Sequence, residues 1–183
     1  MSRNKKHWTT LETRELFKSP FFRLRSEKIE LPDKRIFPNY YTIDFTDWVN
    51  VVPITTSGEI VLISQYRHPV GETLVEIPGG AIDPRSKETP AEAAVRELAE
   101  ETGYVPKDLK LVGTHIPNPA LQSNKLWTFV ATGCEKKLEQ NLDEFEDIEV
   151  FTASKDKTYK MITGGEITHS LIIASLHLAM AHI

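Results

Sequence analysis

The sequence has little cysteine and no long apolar run. Its 183 residues contain one cysteine, Cys134, which excludes an internal disulfide. Residues 1–10 include basic side chains but no apolar stretch follows them, so we expect no signal peptide. The most apolar segment, residues 170–183, is too short to cross a bilayer and contains His177 and His182. These absences predict a soluble cytoplasmic protein with no membrane partner.

An excess of positive charge is also missing. The formal net charge is -4 and the isoelectric point is about 5.9, so the chain as a whole does not attract nucleic acid or an anionic membrane. The 40% of hydrophobic residues and 26% of charged residues are ordinary values that allow a substantial core. We therefore expect no nucleic-acid partner. A phosphorylated substrate would have to meet local positive charge or metal ions.

Strand and helix signals mix along the chain without strict alternation. Strand patterns are found at 22–31, 40–45, 48–55, 59–66, 74–77, 109–115, 126–132 and 148–152. A short helix is predicted over 155–164, and an apolar helix over 166–183. The order predicts an α/β (α+β) fold in which a mixed β-sheet is sandwiched between helices, preceded by an N-terminal β segment.

One further helix has well-defined ends. Thr89 and Glu92 form a capping-box pattern, and Pro90 occupies the favoured first helical position. Gly103 provides the stop. Between these ends, the helical spacing of the apolar residues predicts one buried stripe, made of Ala91, Ala94, Val95 and Leu98.

Three glutamates follow one arc of this helix. Glu97, Glu100 and Glu101 stand at positions i, i+3 and i+4, beside the apolar stripe. Two carboxylates about 6 Å apart repel by roughly 3 kcal/mol at an effective dielectric constant of 20. A hard divalent cation would turn this repulsion into binding. The alternative is a solvated acidic helix face, which is common.

The wider string resembles the Nudix box, Gly-x5-Glu-x7-Arg-Glu-apolar-x-Glu-Glu-x-Gly-apolar. Every defined position matches from Glu88 to Tyr104, with the family's spacing. Gly80 is the one departure, because seven residues rather than five separate it from Glu88. The extra pair enlarges the loop at 83–87. The resemblance implies a Nudix fold and a metal-dependent pyrophosphatase.

The resemblance also assigns roles within the box. Glu97 and Glu101 are the principal metal ligands, Glu100 is an additional ligand with a catalytic role, and the backbone carbonyl of Gly79 completes the metal shell. Arg96, also placed in the catalytic group, pairs with Glu88 to hold the loop against the helix, where Glu88 and Gly80 give structural support. The implied cofactor is Mg²⁺, with Mn²⁺ as a substitute.

Text outside the box resembles ADP-ribose pyrophosphatases and related nucleoside-diphosphate-sugar hydrolases. The similar segments are 61–69, 74–80, 143–150 and 165–167. The resemblance implies that Arg67 contacts phosphate and that Glu76 binds substrate. It gives Glu144 the task of orienting or deprotonating the attacking water, with Glu146 as the alternative. The histidines show no metal-ligand spacing and are given no role.

The implied reaction is hydrolysis of the pyrophosphate bond of ADP-ribose and other nucleoside diphosphate sugars. The products are a nucleoside monophosphate and a sugar phosphate. Residues 118–125 depart from the loop typical of relatives specialised for ADP-ribose, which favours a broader range of nucleotide sugars. The chain divides into an N-terminal β segment, 1–48, and a Nudix hydrolase domain, 49–183. In the family, the β segment pairs across a homodimer.

Two other functions compete with this one. The first is a Nudix pyrophosphatase for another nucleotide, such as an oxidised nucleotide, a dinucleoside polyphosphate or coenzyme A. The segment Gln65-Tyr66-Arg67 argues against it. The second is a non-catalytic module that senses ADP-ribose. Such modules often lose glutamates of the box, and this chain retains all of them.

Overall fold

A computed structural model describes residues 7–182 of the chain. The chain divides into two compact units. The N-terminal unit consists of residues up to Thr46 together with Ile116–Asn124, and the larger unit consists of Asp47–His115 and the chain from Lys125 onward. The N-terminal unit contains one three-stranded antiparallel sheet of β1 (Thr9–Lys18), β2 (Phe22–Glu30) and β3 (Ile36–Phe45).

Aromatic residues form two rows on the N-terminal sheet. One row joins Phe17, Phe22 and Phe45, with ring centroids 5.5 Å and 5.6 Å apart. Cross-strand aromatic pairs of this kind stabilise a sheet that has no helix of its own. Strand β1 was not predicted, because it breaks the alternating pattern at two register shifts, near Leu11 and Leu16.

The segment Ile116–Asn124 is bound to β3 in the same unit. The backbone N–H of Ile43 donates to the carbonyl of Leu121 at 2.8 Å, and the Tyr40 hydroxyl donates to the carbonyl of Ala120 at 2.9 Å. The Ser123 hydroxyl donates to Asp44 Oδ1 at 2.8 Å. The segment is therefore fixed to the three-stranded sheet by both backbone and side-chain hydrogen bonds.

The larger unit contains an eight-stranded mixed sheet. Its strands are β4 (Trp48–Thr55), β5 (Ile60–Arg67), β6 (Glu72–Glu76), β7 (Gly79–Ala81), β8 (Tyr104–Val105), β9 (Asp108–His115), β10 (Leu126–Lys136) and β11 (Ile148–Ala153). Its helices are α1 (Pro90–Thr102), α2 (Lys155–Thr163) and α3 (Ser170–Ala179), and a 3₁₀ turn follows at Met180–His182. The main path runs β11-β5-β4-β10-β8, and β6, β7 and β9 pair with β5, β4 and β10. The β4–β10 pair is parallel, whereas the other pairs are antiparallel.

Strand β4 divides the core into two layers. Val49 and Val51 pack in a cluster with Ala94 and Leu98 of α1. The alternate residues Val52 and Ile54 belong to a second cluster with α2 and α3, which includes Met161, Ile172 and Leu176. Because side chains alternate between the faces of a strand, helices cover both sides of the sheet. The predicted sandwich is confirmed.

Helix α1 has the predicted ends. Thr89 Oγ1 accepts from the backbone N–H of Glu92, and the Glu92 carboxylate accepts from the backbone N–H of Thr89 at 2.7 Å. Gly103 ends the helix in the left-handed region with φ of 73°. A glycine suits that conformation because it has no Cβ to clash.

The C-terminal helix is shorter than the predicted span 166–183. Helix α3 begins at Ser170, because the backbone N–H groups of Glu166 and Ile167 both donate to the carbonyl of Met161 and so complete the end of α2. Within residues 7–182, the structure has no helix long and apolar enough to cross a membrane. Cys134 lies in β10 with a buried side chain, and burial raises the pKa of its thiol to about 11.

Candidate functional site

The three glutamates of the predicted arc lie at the edge of the packed face of α1. Leu98 and Ala94 pack on β4 and so fix the rotation of the helix. The Glu101 residue is 3% exposed and the Glu97 side chain 14%, whereas the Glu100 side chain remains 38% exposed. The same arc therefore contains two carboxylates withdrawn from water and one that solvent reaches.

The Glu101 carboxylate is held against the Gly79 backbone. Its Oε2 atom accepts from the backbone N–H of Gly79 at 2.9 Å. Burial is the main cause that raises the pKa of Glu101 to about 8, and the charges of Glu97 and Glu146 raise it further. The Gly79 hydrogen bond and the charge of Arg67 act in the opposite direction. The effects that raise the pKa outweigh those that lower it, so the ionised Glu101 carboxylate has too little positive charge nearby to stabilise it.

Gly79 and Gly80, the first two residues of β7, allow the backbone to approach the carboxylates of Glu97 and Glu101. A Cβ atom at Gly80 would lie 2.6 Å from Oε1 of Glu97, and one at Gly79 would overlap the carbonyl oxygen of Val49 and lie 2.8 Å from Oδ1 of Asn50. Only glycine lets the backbone pass so close. The loop and the helix arc thus form one contiguous polar surface.

Arg96 connects the loop to the helix as predicted. Its Nε and Nη2 atoms donate to the two carboxylate oxygens of Glu88, each at 3.0 Å. Its Nη1 atom donates to Glu97 and Glu100, each at 2.9 Å. The backbone N–H of Asp83 donates to Glu88 at 3.0 Å, so the enlarged loop is also tied to this pair. The inserted residues leave the Arg96–Glu88 pair in place.

The donor set fits a hard divalent cation. Among residues 7–182, no three His, Cys, Asp or Glu side chains converge into a ready-made metal cluster, and Nη1 of Arg96 bridges Glu97 and Glu100. Yet burial also raises the pKa of Glu97, and the charges of Glu100 and Glu146 add to this despite Arg96. The buried Glu101 carboxylate and the half-buried Glu97 carboxylate offer oxygen atoms of the kind that Mg²⁺ and similar ions prefer.

Arg67 and Glu76, predicted as separate substrate contacts, are paired with each other. Glu76 is 1% exposed, and its carboxylate accepts from Nε of Arg67 at 3.2 Å and from Nη2 of the same side chain. The carboxylate also accepts from Nδ1 of His169 at 2.9 Å. His169 was missed, because a lone histidine before an apolar helix carries no spacing signal.

The acidic loop before β11 distinguishes the two candidate bases. Glu144 is exposed, whereas Glu146 is half-buried and accepts from the backbone N–H of Asp143 at 3.1 Å. The charge of Glu146 contributes to the raised pKa values of both Glu97 and Glu101. Of the two candidates, Glu146 is the one whose charge acts on the carboxylate group of α1.

The segment 118–125, which departs from the loop typical of relatives specialised for ADP-ribose, is divided between the two units. Residues 118–124 belong to the N-terminal unit, and Lys125 begins the returning part of the larger unit. Lys125 is held there by a hydrogen bond from its backbone N–H to Asp47 Oδ1 at 2.8 Å, and its Nζ atom lies 5.8 Å from the centre of the Trp127 ring.

Two family models match the chain. The NUDIX domain matches residues 45–161, and the nucleoside diphosphate sugar hydrolase N-terminal domain matches residues 8–43. The border between these matches lies close to the border between the two compact units at residues 46 and 47.

Curated relatives cover most of the chain. A methanol dehydrogenase activator of Bacillus methanolicus is 28% identical over 91% of this chain and 89% of its own length. An ADP-ribose pyrophosphatase of Bacillus subtilis (strain 168) is 30% identical over 86% of this chain and 84% of its own. A crystal structure of an ADP compounds hydrolase shares the fold with a TM-score of 0.84 at 22% identity, over 98% of this chain and 96% of that one.

Proposed function

Since the chain belongs to the Nudix family, we propose that it hydrolyses the pyrophosphate bond of ADP-ribose and other nucleoside diphosphate sugars. Water adds across the phosphoric anhydride, and the products are a nucleoside monophosphate and a sugar phosphate. The observation that carries the proposal is the carboxylate pair of the half-buried Glu97 and the buried Glu101, set against Gly79 and Gly80, with Glu101 within the electrostatic reach of Arg67. The match of residues 8–43 to the N-terminal domain of nucleoside diphosphate sugar hydrolases supports the substrate class.

Nudix hydrolases generally use divalent metal ions, and we assign Mg²⁺ to this chain, with Mn²⁺ as a substitute. Glu97, Glu101 and Glu100 would hold the ion together with the backbone carbonyl of Gly79. When bound, the ion supplies Lewis-acid polarisation of phosphate oxygens and a lower pKa for the attacking water.

The protein's own groups supply positioning and proton transfer. Arg67 places a permanent positive charge where a phosphate can be held, and the buried Glu76 fixes its orientation. Arg96 joins the loop to α1 and so keeps the carboxylates in register. A carboxylate of the loop before β11 accepts the proton of the attacking water, a role for which Glu144 was predicted and Glu146 has the stronger electrostatic support.

The N-terminal unit is assigned to a homodimer, and the protein to the cytoplasm. Large apolar side chains are exposed on this unit, among them Trp8, Phe17 and Phe21 at 50%, 52% and 78%. A small sheet with such a surface is stabilised by pairing with a second copy, which would cover its apolar residues. The division into residues 1–48 and 49–183 stays a proposal, and the two compact units divide two residues earlier, between Thr46 and Asp47.

A phosphate-release assay tests the proposal. Nucleoside monophosphates and sugar phosphates are phosphate monoesters, so alkaline phosphatase liberates phosphate from the products but not from intact ADP-ribose. We expect release from ADP-ribose, and from ADP-glucose or UDP-glucose, with millimolar Mg²⁺. Alkaline phosphatase needs metal ions of its own and also attacks intact nucleoside triphosphates and coenzyme A, so samples with excess chelator and with these other substrates are read by chromatographic separation of the products. We expect no products from ADP-ribose in excess chelator. Reaction in ¹⁸O-labelled water then identifies the attacked phosphorus from the product that carries the label.

The rival functions give different results in the same assay. Turnover of a dinucleoside polyphosphate, an oxidised nucleotide or coenzyme A with greater kcat/KM than any nucleotide sugar would transfer the chain to another Nudix substrate class. Binding of ADP-ribose in calorimetry without any release of phosphate would identify a sensor. Turnover of ADP-ribose in excess chelator would contradict the metal assignment.

A further inference from the structure

A charge network centred on the buried Glu76 connects α3 to the end of β5. Glu76 of β6 pairs with Ile63 of β5, and Arg67 stands four residues after Ile63 on the same strand. Because strand side chains repeat every two residues, Glu76 and Arg67 project from the same face of the sheet. His169 reaches this face from the residue before α3. Three elements that are remote in sequence therefore meet at one carboxylate.

The hydrogen bonds give each member a distinct task. The ionised Glu76 carboxylate can only accept, so Nδ1 of His169 carries the proton in their 2.9 Å hydrogen bond. Burial opposes ionisation of Glu76, but the hydrogen bonds from His169 and Arg67 outweigh it and lower the pKa of this carboxyl. Glu76 accepts hydrogen bonds from Nε and Nη2 of Arg67, and Nη1 takes no part in this pair. The guanidinium is therefore oriented by the edge that carries Nε and Nη2.

His169 does not perform the usual task of its position. It is the N-cap residue of α3, yet its side chain forms no hydrogen bond to the helix. Serine, threonine, asparagine and aspartate are favoured there because their oxygens satisfy the first free N–H groups. The imidazole instead donates to Glu76, and its side chain is still 35% exposed. The His169 side chain therefore forms a hydrogen bond with Glu76 instead of capping α3.

We propose that His169 is a positioning residue that, through the buried Glu76 carboxylate, aligns the Arg67 guanidinium for a substrate phosphate. Oε1 of Glu76 accepts from Nδ1 of His169 at 2.9 Å and from Nε of Arg67 at 3.3 Å, so the imidazole holds the carboxylate plane independently of the arginine, and that plane sets the direction of Nη1. Removing the imidazole frees the carboxylate to rotate and leaves the arginine with several orientations. The substrate side of this inference rests on the proposed function, whereas the ordering of Arg67 does not.

The first test compares His169→Ser with His169→Asn. A serine can cap α3 and so offset stability lost with the hydrogen bond to the buried Glu76, so in His169→Ser the melting temperature should change little while kcat/KM for ADP-ribose falls about tenfold, the usual worth of one hydrogen bond to a charged group. The loss should be mainly in KM, since Arg67 holds a phosphate that is already charged in the ground state. The amide nitrogen of asparagine can replace Nδ1, so His169→Asn should recover most of the loss.

A double-mutant cycle separates positioning from a general structural role. In an Arg67→Gln background, His169→Ser should have no further effect on kcat/KM, because its only route to the substrate has been removed. The exposed His177 on the same helix supplies the matched control, and His177→Ala should keep wild-type kinetics. Equal losses from His169→Ser in both backgrounds, or no loss in either, would overturn the proposal.

Nuclear magnetic resonance tests the ordering of Arg67 without substrate. The Nε–H signal of Arg67, identified by its disappearance in Arg67→Gln, should be sharp and slow to exchange in the wild type. It should broaden and exchange faster in His169→Ser. If this change is seen but the wild-type protein hydrolyses no nucleotide sugar, the proposed function fails and the positioning stands. An unchanged signal would refute the positioning even in an active enzyme.

Discussion

The two units place their apolar residues in opposite ways. Every one of the ten residues of β1 in the N-terminal unit is exposed, whereas six of the eight residues of β4 in the larger unit are buried. Of the eighteen large hydrophobic residues that are exposed in the described chain, ten belong to the N-terminal unit. The larger unit has a closed core, whereas the smaller one exposes many of its large apolar side chains.

The proposed catalytic residues and the proposed dimer surface therefore belong to different units. The larger unit contains all the glutamates of the Nudix box, and the core cluster that includes Ala94 and Leu98 fixes the helix that carries the proposed metal ligands. The N-terminal unit is stabilised by aromatic rows and by the ion pairs of Asp44 with Arg23 and Arg25. Substitutions in the first should therefore change catalysis, and substitutions in the second should change oligomeric state or stability.

The largest effect is expected from Glu101→Gln. The change removes the charge of a principal metal ligand with little change in size, so kcat should fall by on the order of 10⁴-fold, and the Mg²⁺ dependence should shift. Steady-state kinetics under metal titration measure both quantities. Glu97→Gln should behave in the same way. Near-wild-type kinetics for both variants would show that the arc is only a solvated acidic face.

The second largest fall in kcat is expected when the general base is replaced. If Glu146 accepts the proton, Glu146→Gln should lower kcat by about 10³-fold and leave the affinity for Mg²⁺ nearly intact. Glu144→Gln, two residues away in the same exposed loop, is the matched comparison. A dead Glu144→Gln beside an active Glu146→Gln would restore the assignment made from sequence and show that the loop rearranges on binding substrate.

The substitution Phe17→Asp should weaken the proposed homodimer. A charge at this exposed aromatic should weaken the predicted dimer at least about 30-fold, as loss of an interface hot spot does. Sedimentation over a concentration series gives the dissociation constant. Tyr159→Asp, on a helix of the larger unit, should leave it unchanged. A wild-type protein that stays monomeric at micromolar concentration would remove the dimer altogether.

Stability should respond to Asp44→Asn in a pH-dependent way. Burial raises the pKa of Asp44, but hydrogen bonds from Arg25, Arg23 and Ser123 outweigh it and lower the pKa from its ordinary value of 3.8 to about 2. The ionised form therefore stabilises the fold at pH 7 by about 1 kcal/mol, discounted because solvent reaches the carboxylate. This contribution should be lost as pH falls from about 4 through 2. Urea unfolding at several pH values should show the variant and wild type converging there.

The smallest effect belongs to Glu92→Gln. Glu92 lies on α1 but in its capping box, where it accepts from Thr89 rather than facing the arc. The variant should lose about 0.5 kcal/mol of unfolding free energy, since glutamine can still accept the same hydrogen bond. Thermal melts and kinetics together check this, and a marked loss of kcat would mean that the arc is not the site.

The sequence predicts contacts that lie close along the chain better than those made by tertiary packing. The caps of α1 follow from local spacing and are confirmed, and the Arg96–Glu88 contact that the family resemblance implied is present in the structure. The fold and family predictions are confirmed as well. The His169–Glu76 hydrogen bond joins residues 93 positions apart, and no local pattern indicates it. The roles of the metal-binding glutamates and of the base stay predictions.

The attachment of Ile116–Asn124 to β3 has a consequence for synthesis. Ser123 and Asp44 are 79 residues apart, so at roughly 5 to 20 residues per second the ribosome delivers Ser123 about 4 to 16 s after Asp44. During that interval β1, β2 and β3 leave the ribosome with exposed aromatic side chains and without their docking segment. The nascent chain is then most exposed to aggregation, and we expect chaperones that bind apolar segments to hold it at this stage.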